Sequence, residues 1–394
     1  MSSLYDEIDI PQRILLGAGP SAAHPSVLTE LSRPTIGHLD PALFPINDAI
    51  KKLLRYVFQS DDSLALPIPG TGTAAMEAAI ANLVEPGEKI LIGVNGFFGA
   101  RLAEIAKRYS ANVETVNQEW GLPILPEHIE LGLKNNPDTK VVAVVHAETS
   151  TGVLSPIQDI CEVVHQKNIP IIVDAVTSLG GEKLLTADWD IDFCYGATQK
   201  CLGATPGLGP VNLRDRALEK LHSRKTPIST FYLDLLTVHK YWDAERMYHH
   251  TSPVNNLFSL LRALELVKEE GIENRWLRHK KNAFALRKGL DVLGIKSFAS
   301  QEYELNTLIS VIIPDNVDDM EFRNQLYDQF NIEISGGLGD VKGKIWRIGL
   351  MGYSSRNENI VKLLNALETL LITNGNLKNK VNAAKYAEEA LSNF

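Results

Sequence analysis

Residues 171–176 read Ile-Ile-Val-Asp-Ala-Val, an apolar strand pattern that ends in a carboxylate. A strand that is apolar on both faces is typical of a parallel sheet covered by helices on both sides. At the carboxyl end of such a strand, Asp174 would face the crevice where parallel α/β sheets bind ligands. A cap for the following turn is the alternative role, and this stretch alone leaves both roles open.

Similar short strand patterns alternate with helical patterns on both sides of this stretch, from about residue 63 to residue 214. The predicted strands cover residues 63–67, 89–94, 113–116, 141–146, 169–174, 193–196 and 211–213. The predicted helices cover residues 74–84, 100–109, 126–134 and 157–167. This alternation predicts an α/β fold with a mostly parallel sheet.

The pattern changes after residue 214. Helical periodicity runs from about residue 254 to residue 293, and we expect a long helix there that bridges two domains. Beyond it, alternating elements predict a smaller C-terminal α+β domain, with strands at 308–313 and 344–349 and helices at 319–330 and 357–371. The tail from Asn374 is polar and receives no firm assignment.

The composition is that of an ordinary globular protein. The net charge is -9, and no run of Lys or Arg stands out, so we expect neither a nucleic-acid surface nor a membrane surface. Three cysteines without a CxxC pair argue against a disulfide framework or a zinc site and favour a reducing compartment. No apolar stretch is long enough to span a bilayer and no secretory signal is visible, so we expect a cytoplasmic protein.

A glycine-rich turn at residues 68–77, Ile-Pro-Gly-Thr-Gly-Thr-Ala-Ala-Met-Glu, lies between a predicted strand and a predicted helix. The helix N-terminus and the hydroxyls of Thr71 and Thr73 would suit a phosphate. The same string fits the dinucleotide fingerprint of dehydrogenases, but no acidic residue ends the next strand to hold a ribose. This sequence alone is weak evidence for a phosphate site, and it is equally compatible with a turn that has only a structural role.

Lys200 lies in the run Tyr-Gly-Ala-Thr-Gln-Lys-Cys-Leu at residues 195–202. Most lysines are solvated surface residues. Here small neighbours leave room for a planar ring, and apolar surroundings would lower the pKa of the amine and make it nucleophilic. A lysine for a Schiff base, Asp174 for a pyridinium nitrogen and a phosphate turn are what pyridoxal 5'-phosphate (PLP) requires of a protein.

Ordered motifs along most of the chain resemble the class V, fold-type-I PLP-dependent aminotransferases, and within them the alanine–glyoxylate (serine–pyruvate) branch. The motifs lie at residues 15–21, 93–96, 148–153, 174–181, 199–200, 246–251, 336–339 and 347–349. The resemblance implies a seven-stranded, mostly parallel sheet in a large domain at 21–271, an N-terminal arm at 1–20 and a small domain at 272–394. It also implies a homodimer with shared active sites.

The resemblance also assigns roles. Lys200 and Asp174 would be catalytic, and Arg347 with the backbone of Gly19 would bind the substrate carboxylate. The remaining cofactor contacts would be made by Thr71, Gly72, Thr73, Phe98, Thr149, Val176 and Gln199, and from the neighbouring subunit by Tyr248 and Thr251. Phe98 stands where the family often has a stacking Trp, and Thr73 where relatives carry His, which leaves substrate preference open.

The expected reaction is ping-pong transfer of an amino group between alanine or serine and glyoxylate or pyruvate, because Arg347 is the one arginine assignable to a carboxylate. Serine–glyoxylate or 2-aminoethylphosphonate–pyruvate transamination is the alternative within the fold. A non-catalytic scaffold and a nucleotide-dependent dehydrogenase are the alternatives from other classes. The adjacent residues His249 and His250 could suggest a pair of metal ligands. Adjacent side chains on an extended chain point in opposite directions, so we expect no metal site there.

Overall fold

The computed structural model describes residues 10–394, and residues 1–9 of the expected arm lie outside the described residues. The strands are β1 Ile14–Leu15, β2 Leu64–Gly70, β3 Lys89–Val94, β4 Asn112–Asn117, β5 Val141–Val145, β6 Ala147–Glu148, β7 Val153–Leu154, β8 Ile171–Asp174, β9 Phe193–Tyr195, β10 Gly207–Leu213, β11 Leu308–Ile312, β12 Ile332–Glu333, β13 Ser335–Gly336 and β14 Ile345–Gly349. The α-helices are α1 Pro25–Glu30, α2 Phe44–Phe58, α3 Gly72–Leu83, α4 Phe97–Arg108, α5 Pro126–Asn135, α6 Ile157–His165, α7 Asp215–His222, α8 Leu235–Trp242, α9 Val254–Glu270, α10 Ile272–Val292, α11 Asp319–Phe330, α12 Asn357–Thr373 and α13 Ala383–Ser392.

Seven strands form the main sheet in the order β2-β10-β9-β8-β5-β3-β4. All neighbours are parallel except β10, which runs antiparallel to both β2 and β9. Strands β5 and β8 are buried along their whole length, as their unbroken apolar sequences predict. The predicted α/β class and the mostly parallel seven-stranded sheet are confirmed.

The C-terminal part of the chain builds a second apolar core. Strands β11, β14 and β13 form an antiparallel sheet in that order, and helices α10, α11, α12 and α13 contribute buried side chains beside it. The N-terminal segment joins this core, because β1 pairs in parallel with β12 and Leu16 is fully buried there.

The expected long helix over residues 254–293 is wrong in one respect, because the structure has two helices there. Gly271 separates α9 from α10 with φ 83° and ψ 134°. Its N–H still donates to the Val267 carbonyl and ends α9, while the Ile272 N–H turns to the Tyr56 hydroxyl at 2.9 Å. A positive φ suits glycine, so this residue changes the direction of the chain without strain.

The polar tail contains a helix that sequence analysis did not assign. Helix α13 packs on α10 and α12 through the small buried side chains of Ala383 and Ala387. Its N-terminus is held by Glu368, whose carboxylate accepts the N–H groups of Asn382 and Ala383 at 2.8 and 3.2 Å. Across residues 10–394, no helix combines the length and the apolar character that a membrane crossing needs.

Candidate active site

A cavity of about 190 Å³ lies at the carboxyl ends of β5 and β8, beside the N-terminus of α3. It brings together the residues that sequence analysis assigned to the cofactor within one chain: Thr71, Gly72, Thr73, Phe98, Thr149, Asp174, Val176, Gln199 and Lys200. The other lining residues are Met76, Arg101, Val145, Ala147 and Thr177. A larger cleft of about 840 Å³ lies between α5 and α6, but none of the predicted site residues lines it.

The turn before α3 offers an anion site. Thr71 precedes the helix in an extended conformation, and its side chain does not cap the helix. The first N–H groups of a helix have no partner inside it and carry partial positive charge. The backbone of Gly72 and Thr73 and the hydroxyls of Thr71 and Thr73 are therefore available to a phosphate.

Asp174 ends β8 and is 3% exposed. Its carboxylate accepts the Val176 N–H at 2.8 Å and the Tyr195 hydroxyl at 2.9 Å. Burial raises the pKa of Asp174 to about 6, against the opposing effect of these two donors. No cation among residues 10–394 forms a salt bridge with this carboxylate, and a protonated ring nitrogen in the cavity would supply one.

Lys200 lies in the turn after β9, and its amine donates to the carbonyl of Ala18. Burial lowers the pKa of Lys200 to about 8, and the nearby Arg347 guanidinium adds to this effect. A side chain at Gly19 would collide with the Lys200 side chain, and Gly19 has φ 111°, so glycine fits that position on two counts. The structure therefore places Gly19 against the amine, as expected for residues that share a site.

Arg347 extends from the central strand β14 of the small sheet and is 6% exposed. Its Nε donates to the Gly336 carbonyl at 2.8 Å, and Nη1 donates to the Thr149 carbonyl at 3.3 Å. A guanidinium carries five N–H donors, so three stay available for a carboxylate. Burial lowers the pKa of Arg347 to about 10, which still leaves it cationic at neutral pH.

Comparison with known proteins shows which family has a similar sequence and structure. The aminotransferase class-V profile matches residues 36–360. Rat alanine–glyoxylate aminotransferase is 39% identical over 373 residues, covering 94% of this chain and 90% of the relative. The crystal structure of the Nostoc alanine–glyoxylate aminotransferase superposes with a TM-score of 0.90 at 45% identity, covering 92% and 96%. That of ureidoglycine–glyoxylate aminotransferase from Bacillus subtilis gives 0.95 at 37% identity, covering 98% and 100%.

The chain belongs to the class V aminotransferases. It is thus an enzyme of the transaminase type whose cofactor is PLP, as the sequence predicts. The residues that line the cavity of this aminotransferase also match the chemical groups of PLP. It offers unpaired helical N–H groups for a phosphate, a buried carboxylate for a ring nitrogen, a lysine amine for an aldehyde, and a Gln199 Oε1 that is buried without a partner in the described residues.

Glu148 lies in one of the sequence motifs and supports the aminotransferase site, but the sequence analysis assigned it no role. Its buried carboxylate accepts the N–H groups of Phe98 and Gly99 at 3.0 and 3.1 Å, and the Ser150 hydroxyl at 2.6 Å. These contacts fix the first turn of α4, and with it the ring of Phe98, beside Thr149. The sequence could not show this contact, because Glu148 and Phe98 are 50 residues apart and meet only in the folded chain.

Tyr195 also received no role in the sequence analysis, although the register of the sheet places it beside Asp174. Asp174 of β8 pairs with Tyr195 of β9, and the Tyr195 hydroxyl reaches the Asp174 carboxylate. Both residues lie at the carboxyl ends of predicted strands, so the sequence indicates only that they share one edge of the sheet. Arg101 lines the cavity as well, and no feature of the sequence marked it.

Tyr248 and Thr251 lie outside the cavity of their own chain. Both are exposed, Tyr248 by 58%, which leaves their predicted role toward a neighbouring subunit as a prediction. The expectation that His249 and His250 point apart is wrong, because their Nδ1 atoms lie 2.8 Å from each other. The segment is not an extended strand, so strand alternation does not apply to it.

Proposed function

We propose that this aminotransferase transfers the amino group of alanine or serine to glyoxylate or pyruvate. The observation that carries the proposal is the buried guanidinium of Arg347, which donates to the carbonyl of the cavity residue Thr149 and keeps three further N–H donors without a partner among residues 10–394. One such group near the reacting amine suits the carboxylate of a small α-amino acid. The names of the rat and Nostoc relatives give alanine and glyoxylate as their substrates.

A second donor has specific support. The Bacillus subtilis structure covers almost the whole chain at the highest TM-score of the structures compared above, and its name gives ureidoglycine as the donor. Glyoxylate is common to the names of all three relatives, so the acceptor is the better supported half of the proposal. Ureidoglycine–glyoxylate transamination is therefore the second candidate.

In this reaction PLP supplies an aldehyde that condenses with amines and a ring that accepts electrons from the bond broken at the substrate Cα. Thr71, Gly72, Thr73 and Gln199 would hold its phosphate end, Phe98 and Val176 would bound its ring, and Thr149 would donate to the ring hydroxyl. Asp174 would keep the proton on the ring nitrogen. Lys200 would bind the aldehyde covalently at rest and, once displaced, move the proton at the substrate Cα.

A donor panel tests the proposal. The full chain saturated with PLP is mixed with L-alanine, L-serine, (S)-ureidoglycine, 2-aminoethylphosphonate or L-glutamate without an acceptor, and the absorbance of the bound cofactor is followed. We expect alanine or serine to react fastest and glyoxylate or pyruvate to restore the starting spectrum. Efficient glutamate–oxaloacetate turnover without alanine or serine activity would contradict the proposal, and a preference for ureidoglycine would select the second candidate.

Replacement of Arg347 by glutamine should raise KM for the amino donor about 100-fold, since a buried charge-assisted pair is worth roughly 1.5–3 kcal/mol. The measurement is steady-state kinetics with alanine and glyoxylate. Arg108 provides the control, because it pairs with Glu104 at 3.1 Å on the exposed face of α4 and does not line the cavity. An unchanged KM in Arg347→Gln would remove Arg347 from the carboxylate site.

The assembly and the domain division are further parts of the proposal. We propose a cytoplasmic homodimer in which Tyr248 and Thr251 complete the partner's site, with a large domain at 21–271 and a small one at 272–394. The exposed aromatic rings of Phe231 and Tyr248 and the separate apolar core of the C-terminal part support this. A hydrodynamic mass equal to one chain would contradict the dimer.

A further inference from the structure

Arg101 is a cation inside the cofactor cavity whose role neither the motifs nor the resemblance assigns. It lies in the second turn of α4 and lines the cavity together with Thr73 and Phe98. Within residues 10–394, no carboxylate lies within salt-bridge distance of its guanidinium. An arginine that faces a binding cavity without an acidic partner is available to an anionic ligand.

Three contacts fix where the Arg101 guanidinium lies. Its Nη1 donates to the Thr73 Oγ1 at 3.4 Å, and its Cζ lies 5.1 Å from the centre of the Phe98 ring and 5.0 Å from that of Phe97. These ring distances are within the range of cation–π attraction. Arg101 thus lies between the phosphate turn and the aromatic wall of the cavity.

The contacts also separate Arg101 from the substrate carboxylate. The donors of Arg347 go to the carbonyls of Gly336 and Thr149, whereas that of Arg101 goes to Thr73 in the first turn of α3. The two guanidinium groups therefore serve different parts of the cavity. A ligand of Arg101 should be the group held at the α3 N-terminus.

We propose that Arg101 is a positioning residue for the phosphate of the cofactor, acting through Thr73 and Phe98. A hydroxyl has one proton, and because Thr73 Oγ1 accepts from Arg101, that proton is left to be donated to the phosphate. The guanidinium also adds a positive charge beside the turn and holds the Phe98 ring by its face. The inference rests on the proposed placement of the phosphate at residues 71–73.

The test compares ligands with and without the phosphate. Cofactor-free wild type and Arg101→Gln are titrated with PLP and, separately, with pyridoxal, and binding is followed by absorbance. We expect PLP affinity to fall about 10-fold in Arg101→Gln and pyridoxal affinity to change less than about 2-fold, because only PLP carries the charged group. The loss should shrink at high salt, since Arg101 is partly exposed to solvent.

Arg108 is the matched control. It lies on the same helix, pairs with Glu104 at 3.1 Å and is far more exposed, so Arg108→Gln removes the same charge away from the cavity. Arg108→Gln should bind PLP as wild type does. Arg101→Lys keeps the charge without the planar fork and should fall between wild type and Arg101→Gln.

A double-mutant cycle with Thr73→Val tests the route. If Arg101 acts through Thr73, Arg101→Gln should cost less PLP affinity in the Thr73→Val background than alone. Unchanged PLP affinity in both Arg101 variants, or equal losses for PLP and pyridoxal, would overturn the proposal. These outcomes are read from binding alone, whereas the proposed function fails on the donor panel, so the two can be told apart. Circular dichroism of each variant identifies misfolding, and Arg101→Lys then decides.

Discussion

Lys200→Ala is expected to lose at least about 10³-fold in the rate of the amino-donor half-reaction. Proton transfer by a positioned side chain contributes about 10²–10⁴-fold, and the covalent anchor is lost as well. The measurement is the single-turnover rate with alanine after saturation with PLP. Borohydride reduction of the wild type, followed by peptide mapping, should place the cofactor on Lys200.

The control for this variant is Lys183→Ala, because Lys183 is exposed and lies in the loop after β8, away from the cavity. It should keep wild-type activity and borohydride labelling. A small primary amine added to Lys200→Ala should restore part of the rate, since it replaces the missing proton carrier. Full labelling of Lys200→Ala after borohydride would show that another amine binds the cofactor.

Asp174→Asn should still bind PLP through Lys200 but lose about 10²–10³-fold in the half-reaction rate. Asparagine cannot keep the ring nitrogen protonated, and a hydrogen bond to a charged group, worth roughly 1.5–3 kcal/mol, is lost at the electron-accepting end. Single-turnover rates with Cα-deuterated and normal alanine give the measurement, and the isotope effect should rise as this step becomes limiting. An unchanged rate would remove Asp174 from its role.

The same variant has an opposite effect on the cofactor-free protein. The pKa of Asp174 is raised by burial from 3.8 to about 6, so the ionised carboxylate destabilises the empty fold above pH 6 and has no such effect below pH 4. Cofactor-free Asp174→Asn should therefore melt at a higher temperature than wild type at pH 8, and the difference should close as the pH falls from about 6 to about 4. Asp188→Asn, at an exposed position, should show neither effect.

The sequence was sufficient for the main sheet because its strands are short, apolar and separated by amphipathic helices. The carboxyl ends of parallel strands meet at one edge, so Asp174, Lys200 and the 71–73 turn could be grouped from the order of the strands alone. The role of Arg347 could not be derived in this way. It came from the resemblance, because β14 belongs to a different sheet and its position depends on how the two cores pack.

The missed features were of two kinds. Gly271 is evident in the sequence, and glycine often ends a helix. The apolar periodicity on both sides of it nevertheless led to the prediction of one continuous helix. The roles of Glu148 and Arg101 could not be predicted from the sequence. Their contacts join segments that are 50 and 28 residues apart, and the approach of these segments depends on side-chain packing. Helix α13 was missed for a similar reason, since its stability depends on packing against α10 and α12.

The hydrogen bond from Arg347 to the Thr149 carbonyl joins the second apolar core to the strand region of the first. Arg347, which we propose binds the substrate carboxylate, thus lies on a strand beside the second core, whereas Lys200 follows a strand of the first. If both residues act as proposed, the distance between them would set the number of carbons allowed between the carboxylate and the amino group of a substrate. β-Alanine has one more carbon between these two groups and would need the junction to widen, so we expect the packing of the two cores to favour α-amino acids over β-amino acids.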